Sequence, residues 1–550
     1  MSARSVSRRD RLRACLVAGL LLPPLLVALV AEAAPRPAAN PRAGAGVRQS
    51  TPELLGRAVA RGELDPSTAG LYLAYALAVP ERLPAAFRSP DPWRGTLPLL
   101  NLRSSIRRDP SDPALAAAAR VLDATSGPRP HARATRSGPP TCSLSTERLP
   151  DSVKTTHFFI QYDASKLGGG LEIEDYVDAL EFTWTTEIAT FGWAAPPARA
   201  SAPQGLYHVR IDRLFSGLYG YVDRYGTYAG IVGDNPNTPS WTEPDAAASC
   251  MVLNQNYSGF ASPPLQSLQA TVAHEFNHSL QFGYGDLTGA NRPDDVFVEG
   301  GATWMEDEVF DGSNDNQYYL WPRFIQSMGS YSASPYPYWV VLRGLVERLG
   351  HATDGTGSEQ AMQDFWELIS RGEAIDLGAF QEALALHGID LASAYADWAL
   401  AVKFSRPCEA AYVPPFCIEQ GDDYADAAGL PRAQLHVDGV GHSVTGSIPD
   451  NYSLSWVRLP KDGGPFTVRV RNTSGGGALR ARIACDLGPG LGLRVYDVGP
   501  GTLPGGVHAA TTADPAGCAS SLVAVIANVR QSNDDPARSI GRSFRVTIPA

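Results

Sequence analysis

The chain has 550 residues, of which 44% are hydrophobic, 19% charged and 9% aromatic, with a formal net charge of -11. That composition excludes a disordered tail or a fibre, and the acidic balance argues against nucleic acid or an anionic membrane surface as the main partner. The length allows roughly two to four structural units of about 150 residues each.

Residues 1–33 read as a secretory signal peptide. Arg4, Arg8, Arg9, Arg11 and Arg13 form a basic leader, an apolar run follows over 14–30, and Ala31-Glu32-Ala33 supplies small residues for cleavage. The run is short and Pro23-Pro24 interrupt it, which disfavours a membrane anchor. Cys15 precedes the apolar run, so it is badly placed for lipidation at the cleavage site. The mature chain is therefore expected to be secreted, extracellular or in the cell envelope, with no membrane span. Seven cysteines less Cys15 leave an even set: Cys142, Cys250, Cys408, Cys417, Cys485 and Cys518. An even set in an exported chain predicts disulfides. Position along the chain favours Cys142–Cys250, Cys408–Cys417 and Cys485–Cys518.

Residues 34–140 form a helical region bounded by linkers. A Pro/Ala/Arg stretch reaches Gln49, and Thr51-Pro52 can start a helix whose apolar face carries Leu54, Leu55, Ala58 and Val59. Helical patterning continues to about Asp123. A second Pro/Gly/Ser/Arg-rich linker holds Arg129, Arg133 and Arg136, which a protease could cut. A helical unit before a cuttable linker reads as a pro-region, inhibitory or chaperoning, with a permanent accessory domain as the alternative. It holds no cysteine that could cap a metal.

Residues 141–428 have a mixed texture. Strands are predicted at 157–162, 206–211 and 250–253, with a helix over 173–191. Helices are predicted at 264–282, 297–309, 319–328, 338–349, 362–370 and 391–404. Strands followed by helices predict an α+β domain. Residues 429–550 change texture again. Short alternating or apolar runs at 453–459, 466–470, 479–483, 493–498, 522–529 and 544–548, separated by Gly, Pro and Asp, predict an all-β sandwich.

The chemistry concentrates at His274-Glu275-Phe276-Asn277-His278, an HExxH motif. On a helix, positions four apart share one face, so both imidazoles can bind one metal. Glu275 projects about 100° round from His274, where a carboxylate can reach an activated water. Leu268, Val272, Phe276, Leu280 and Phe282 suit a buried helix. Two histidines leave zinc short of a third protein ligand.

Downstream lies Phe297-Val298-Glu299-Gly300-Gly301-Ala302-Thr303-Trp304-Met305-Glu306. HExxH followed by E-G-x-A-x-x-x-E resembles the gluzincin metallopeptidases. The resemblance implies a zincin-like domain, Glu299 as third Zn²⁺ ligand, and Glu306 as a partner of a ligand histidine. Thr303 stands where thermolysin-like members carry Asp, and Gln281 and Tyr284 exclude the metzincin extension. The run HEFNHSLQF is more similar to secreted bacterial endopeptidases of the hyicolysin group. Gluzincins often place a Tyr or His beside the reacting carbonyl. Residues 336–350 resemble that helix, which implies Tyr336 as oxyanion stabiliser with Tyr338 as fallback. The expectation is thus a monomeric zinc endopeptidase acting on protein or peptide substrates, with a zinc-activated water and Glu275 as general base. The alternatives are a surface adhesion or binding protein with a structural zinc, and a zinc hydrolase of a non-peptide bond.

Overall fold

Helices open the described part of the chain because their starts are written locally. In this computed structural model, residues 49–125, 149–198, 205–215, 217–224, 231–289, 292–320, 335–350, 358–373, 376–408, 412–428, 433–448, 451–529 and 541–550 are described. All of these fall in one unit, Pro37–Ala550. The predicted signal peptide, both linkers with Arg129, Arg133 and Arg136, and Cys142 lie outside the described residues.

The N-terminal helices are α1 (Thr51–Ala60), α2 (Pro66–Ala78), α3 (Thr96–Arg108) and α4 (Pro113–Thr125). Glu53 accepts from Ser50 N at 2.9 Å at the start of α1, and Asp65 accepts from Thr68 N at 2.9 Å at the start of α2. Such caps satisfy amides that the first helical turn leaves unpaired. Leu99, Leu102, Leu115, Ala118 and Leu122 bury the inner faces.

The next strands are β1 (Asp151–Lys154), β2 (Phe158–Tyr162), β3 (Tyr207–Asp212), β4 (Gly220–Arg224), β5 (Ile231–Gly233), β6 (Ala246–Ala247) and β7 (Ser249–Asn254), with α5 (Ile173–Trp184) between β2 and β3. One five-stranded sheet has the order β1-β2-β3-β7-β4, and β5 pairs with β6 separately. β2, β3 and β7 are mutually parallel, while β1 and β4 are antiparallel edges. The strands alternate between two cores. Val222, Met251 and Leu253 join the core that also holds Val272, Phe276 and Leu280. Tyr221, Cys250 and Val252 face the opposite way and share a core with Leu99, Leu102, Leu115 and Ala118 of α3 and α4. The N-terminal helices thus cover one face of the sheet at its β4 end, and both faces of β7 are dry.

Among the described residues the helices that follow are α6 (Pro264–Tyr284), α7 (Asp295–Val309), α8 (Trp339–Val346), α9 (Ser358–Ser370), α10 (Asp376–Leu386), α11 (Leu391–Phe404) and α12 (Gly421–Ala428). The helix expected over 319–328 is a 3₁₀ turn, Asp315–Leu320, in its described part. That expected over 338–349 is a short α8 flanked by 3₁₀ turns.

The C-terminal strands are β8 (Leu435–His436), β9 (Ser443–Ile448), β10 (Ser453–Arg458), β11 (Phe466–Asn472), β12 (Ala478–Asp486), β13 (Leu493–Asp497), β14 (Leu503–Pro504), β15 (His508–Ala513), β16 (Val523–Val529) and β17 (Arg542–Thr547). They form one sheet β13-β12-β16-β10-β8, with β14 on β12, and another β15-β11-β17-β9. Ile483, Ala524 and Ile526 of the first meet Val468, Val470 and Val546 of the second in one core. The outer side of the larger sheet is also buried. Val523, Val525 and Ala527 belong to the same core as Ala394 and Trp398 of α11, Trp456 Nε1 donates to Ala399 O at 3.1 Å, and Arg482 pairs with Asp397 at 2.9 Å. The sandwich is therefore fused to the helices through α11.

Cys408–Cys417 and Cys485–Cys518 are disulfide-bonded, the bonding expected of a chain in an oxidising compartment. Among the described residues no helix is long and apolar enough to cross a membrane.

Candidate metal centre

α6 is buried nearly all round from Ser267 onward because β4 and β7 lie on one side and α7 on another. His274 and His278 share one face of it, and Glu299 reaches that face from α7; all three are fully buried. Gly300 lets α7 come close to α8, since a Cβ there would lie 3.2 Å from Leu342 Cδ1 and 3.5 Å from Trp339 N.

The three side chains converge. His274 Nε2 lies 3.1 Å from Glu299 Oε2 and 3.1 Å from His278 Nε2, and His278 Nε2 lies 3.5 Å from Glu299 Oε2. A tetrahedral ion with bonds of about 2.0–2.1 Å needs donor atoms about 3.3 Å apart. His274, His278 and Glu299 are the group that could hold a metal ion among the described residues.

Hydrogen bonding decides where the imidazole lone pairs point. Glu306 Oε1 faces His274 Nδ1 at 2.8 Å and the Arg94 guanidinium at 2.9 Å. An oxygen shared with Arg94 is an acceptor, so His274 Nδ1 donates and Nε2 carries the lone pair. Gln281 Nε2 donates to Asn277 Oδ1 at 2.9 Å and Val298 O at 3.0 Å. Its Oε1 is therefore turned to accept from His278 Nδ1 at 2.9 Å. Asn277 Nδ2 in turn donates to the buried Glu187 at 3.1 Å. This chain, Glu187–Asn277–Gln281–His278, also turns the His278 Nε2 lone pair inward. Two lone pairs and a carboxylate oxygen facing one another need a cation between them, a proton or a metal ion. Gln281→Leu is expected to weaken metal binding about 10–100-fold, read by competition with a chromophoric chelator. Unchanged affinity would mean that helix packing alone holds the His278 ring.

The electrostatics fit this arrangement. Burial, then the Arg94 charge, push the His274 pKa well below its ordinary value, so this imidazole is neutral. Burial opposes charge on Glu299, but the two imidazoles outweigh it and hold the carboxyl far below the usual range. Burial also opposes charge on His278, and Glu299 overcomes it, so the His278 pKa is raised. Burial raises the Glu275 carboxyl pKa. Glu275 Oε1 and Glu299 Oε1 are buried without a hydrogen-bond partner among the described residues.

The other expected residues fall around this group. The Tyr336 ring lies 6.1 Å from the His274 ring and stacks on Tyr319 at 4.8 Å. Tyr338, the fallback, is buried in the core near Tyr395 instead. Thr303 is buried on α7.

Residues that sequence reasoning did not single out complete the surroundings. Gln281 sits three positions after His278, a spacing that puts both on one helix face, so this partner was readable in principle. Arg94 and Thr96 had no such signal. Arg94 is fully buried, pairs with Glu306 and with Asp315 at 3.4 Å, and lies over the Tyr219 ring at 4.6 Å. Thr96 Oγ1 donates to Glu275 Oε2 at 2.6 Å. No protein-family model matches the chain, and no curated protein matches it.

Proposed function

We propose that the protein is an exported zinc-dependent endopeptidase with a zincin-like core, in which His274, His278 and Glu299 hold the metal and Glu275 is the general base. The observation that carries this reading is the pairing of three convergent donor atoms with a buried carboxylate one residue from the first ligand. A site that merely stabilised the fold would have no use for that carboxylate. The donor set, two imidazoles and a carboxylate, suits zinc with a position left open. Bound there, Zn²⁺ supplies a Lewis acid that makes water a better nucleophile and polarises the scissile carbonyl.

The chain's own residues do the rest. Glu275 has one oxygen committed to Thr96 and the other, Oε1, without a hydrogen-bond partner. Oε1 takes a proton from the attacking water as its oxygen bonds to the carbonyl carbon. When the C–N bond breaks, the same oxygen passes that proton to the leaving amine. Tyr336, beside His274, is the group we assign to the developing oxyanion. Glu306 and Gln281 keep both imidazole lone pairs aimed inward. We read the N-terminal helices as a pro-region.

The test is hydrolysis of unfolded casein by purified, zinc-loaded protein after its N-terminal region has been nicked. Cleavage that a zinc chelator stops and added Zn²⁺ restores supports the proposal. Absence of cleavage in protein that demonstrably binds one zinc would favour a structural zinc or a non-peptide substrate.

A further inference from the structure

The proposed centre is sealed: His274, Glu275, His278 and Glu299 are each fully buried. Part of the seal comes from the segment just before α3. β4 is an edge strand, and an edge is where an extended chain can add by main-chain hydrogen bonds. The segment takes that position along Gly217–Val222. Trp93 N donates to Gly217 O at 2.8 Å, Tyr219 N donates to Trp93 O at 3.0 Å, and Gly95 N donates to Gly220 O at 3.0 Å. The run is parallel, with Trp93 opposite Leu218.

Alternation then sorts the side chains. Trp93 packs with Leu218 and Leu99 on the far side. Arg94 and Thr96 reach the metal side. Arg94 pairs with Glu306 and Asp315 and donates to Thr271 Oγ1 at 3.3 Å. Thr96 Oγ1 accepts from Val222 N at 2.8 Å and donates to Glu275 Oε2 at 2.6 Å. Between them Gly95 is pressed against the strand: a Cβ there would lie 2.9 Å from Leu218 Cδ1, 3.0 Å from Gly220 O and 3.0 Å from Tyr221 Cβ.

Resting on the peptidase reading, we propose that Trp93–Thr96 is a built-in inhibitor that occupies the strand edge beside the metal centre as a peptide would and pins one oxygen of the general base through the Thr96 hydroxyl. Arg94 anchors it to the carboxylate that orients His274. The segment also evades cleavage, because the chain turns into α3 at Thr96 and the Gly95 carbonyl accepts from Leu99 N at 3.1 Å. Main chain held in a helical turn is not offered as an extended substrate. Activation in this scheme is displacement of one short segment from β4.

The experiment uses the full, unnicked, zinc-loaded chain as wild type, Gly95→Val and Thr96→Ala. Two rates are read: zinc release to a chromophoric chelator and hydrolysis of casein. Valine cannot fit against β4, so Gly95→Val should release zinc about tenfold faster or more, with a parallel gain in hydrolysis and the same zinc content on isolation. Thr96→Ala removes the hydroxyl and a methyl and adds no atom, and should raise zinc release about threefold. It carries the test alone if Gly95→Val fails to fold by circular dichroism. Zinc release at the wild-type rate in every folded variant overturns the inhibitor. So does casein hydrolysis by the unnicked wild type as fast as by Gly95→Val. Faster zinc release without hydrolysis in any form keeps the segment as the cover of the metal centre and removes the peptidase reading.

Discussion

Glu275→Gln is expected to lower casein hydrolysis by about 10³-fold while leaving the bound metal in place. The side chain is fully buried and belongs to α6. Glutamine has the same shape, and its carbonyl oxygen can still accept from Thr96 Oγ1. What it cannot do is take a proton from water and return it to an amine. The proposed metal donors are other atoms, so zinc per chain should stay at the wild-type value by atomic absorption. The two readouts separate the possible failures. Normal hydrolysis would remove Glu275 from the mechanism, and lost metal with lost activity would make it part of the metal-holding structure instead.

Glu299→Ala should have the opposite signature. Removing this carboxylate leaves two imidazoles to hold the ion, and zinc affinity should fall about 100-fold or more. The variant should then be isolated with little metal, and added zinc should not raise its melting temperature, whereas it should raise that of the wild type, since a ligand stabilises only by binding the folded state. Affinity in the wild type should also weaken in acid, because both imidazoles must be unprotonated to bind. Chelator competition at two pH values reads both effects. A variant that keeps wild-type affinity would show that Glu299 only neighbours the ion, and the third donor would have to be sought elsewhere.

Much of this centre was legible in the chain. His274 and His278 are four apart, Glu299 follows at a short distance, and the apolar positions around them demand a buried helix. α11 begins at Leu391 and ends at Phe404, as its pattern predicted, because Asp390 caps it and apolar residues recur along its whole length. Strands β9 and β15 escaped notice for a physical reason. They are the two edges of the smaller sheet, and Ser443–Ile448 and His508–Ala513 place few large apolar residues inward. β4 was missed because Gly-Tyr-Val-Asp-Arg is short and mixed, although both of its faces are covered in the folded chain.

The amino-acid sequence by itself determined what depends on neighbours a few residues away: helix starts, the shared face of the two histidines, and alternation in the sandwich core strands. Tertiary structure alone decided the rest of the site. Thr96 meets Glu275 across 179 residues, Arg94 meets Asp315 across 221, and the outer face of the sandwich meets α11. Contacts at such separations leave no period in the sequence. They exist because β4 needs its exposed edge hydrogen bonds filled, and because two buried carboxylates, Glu306 and Asp315, need a cation that only a distant segment supplies.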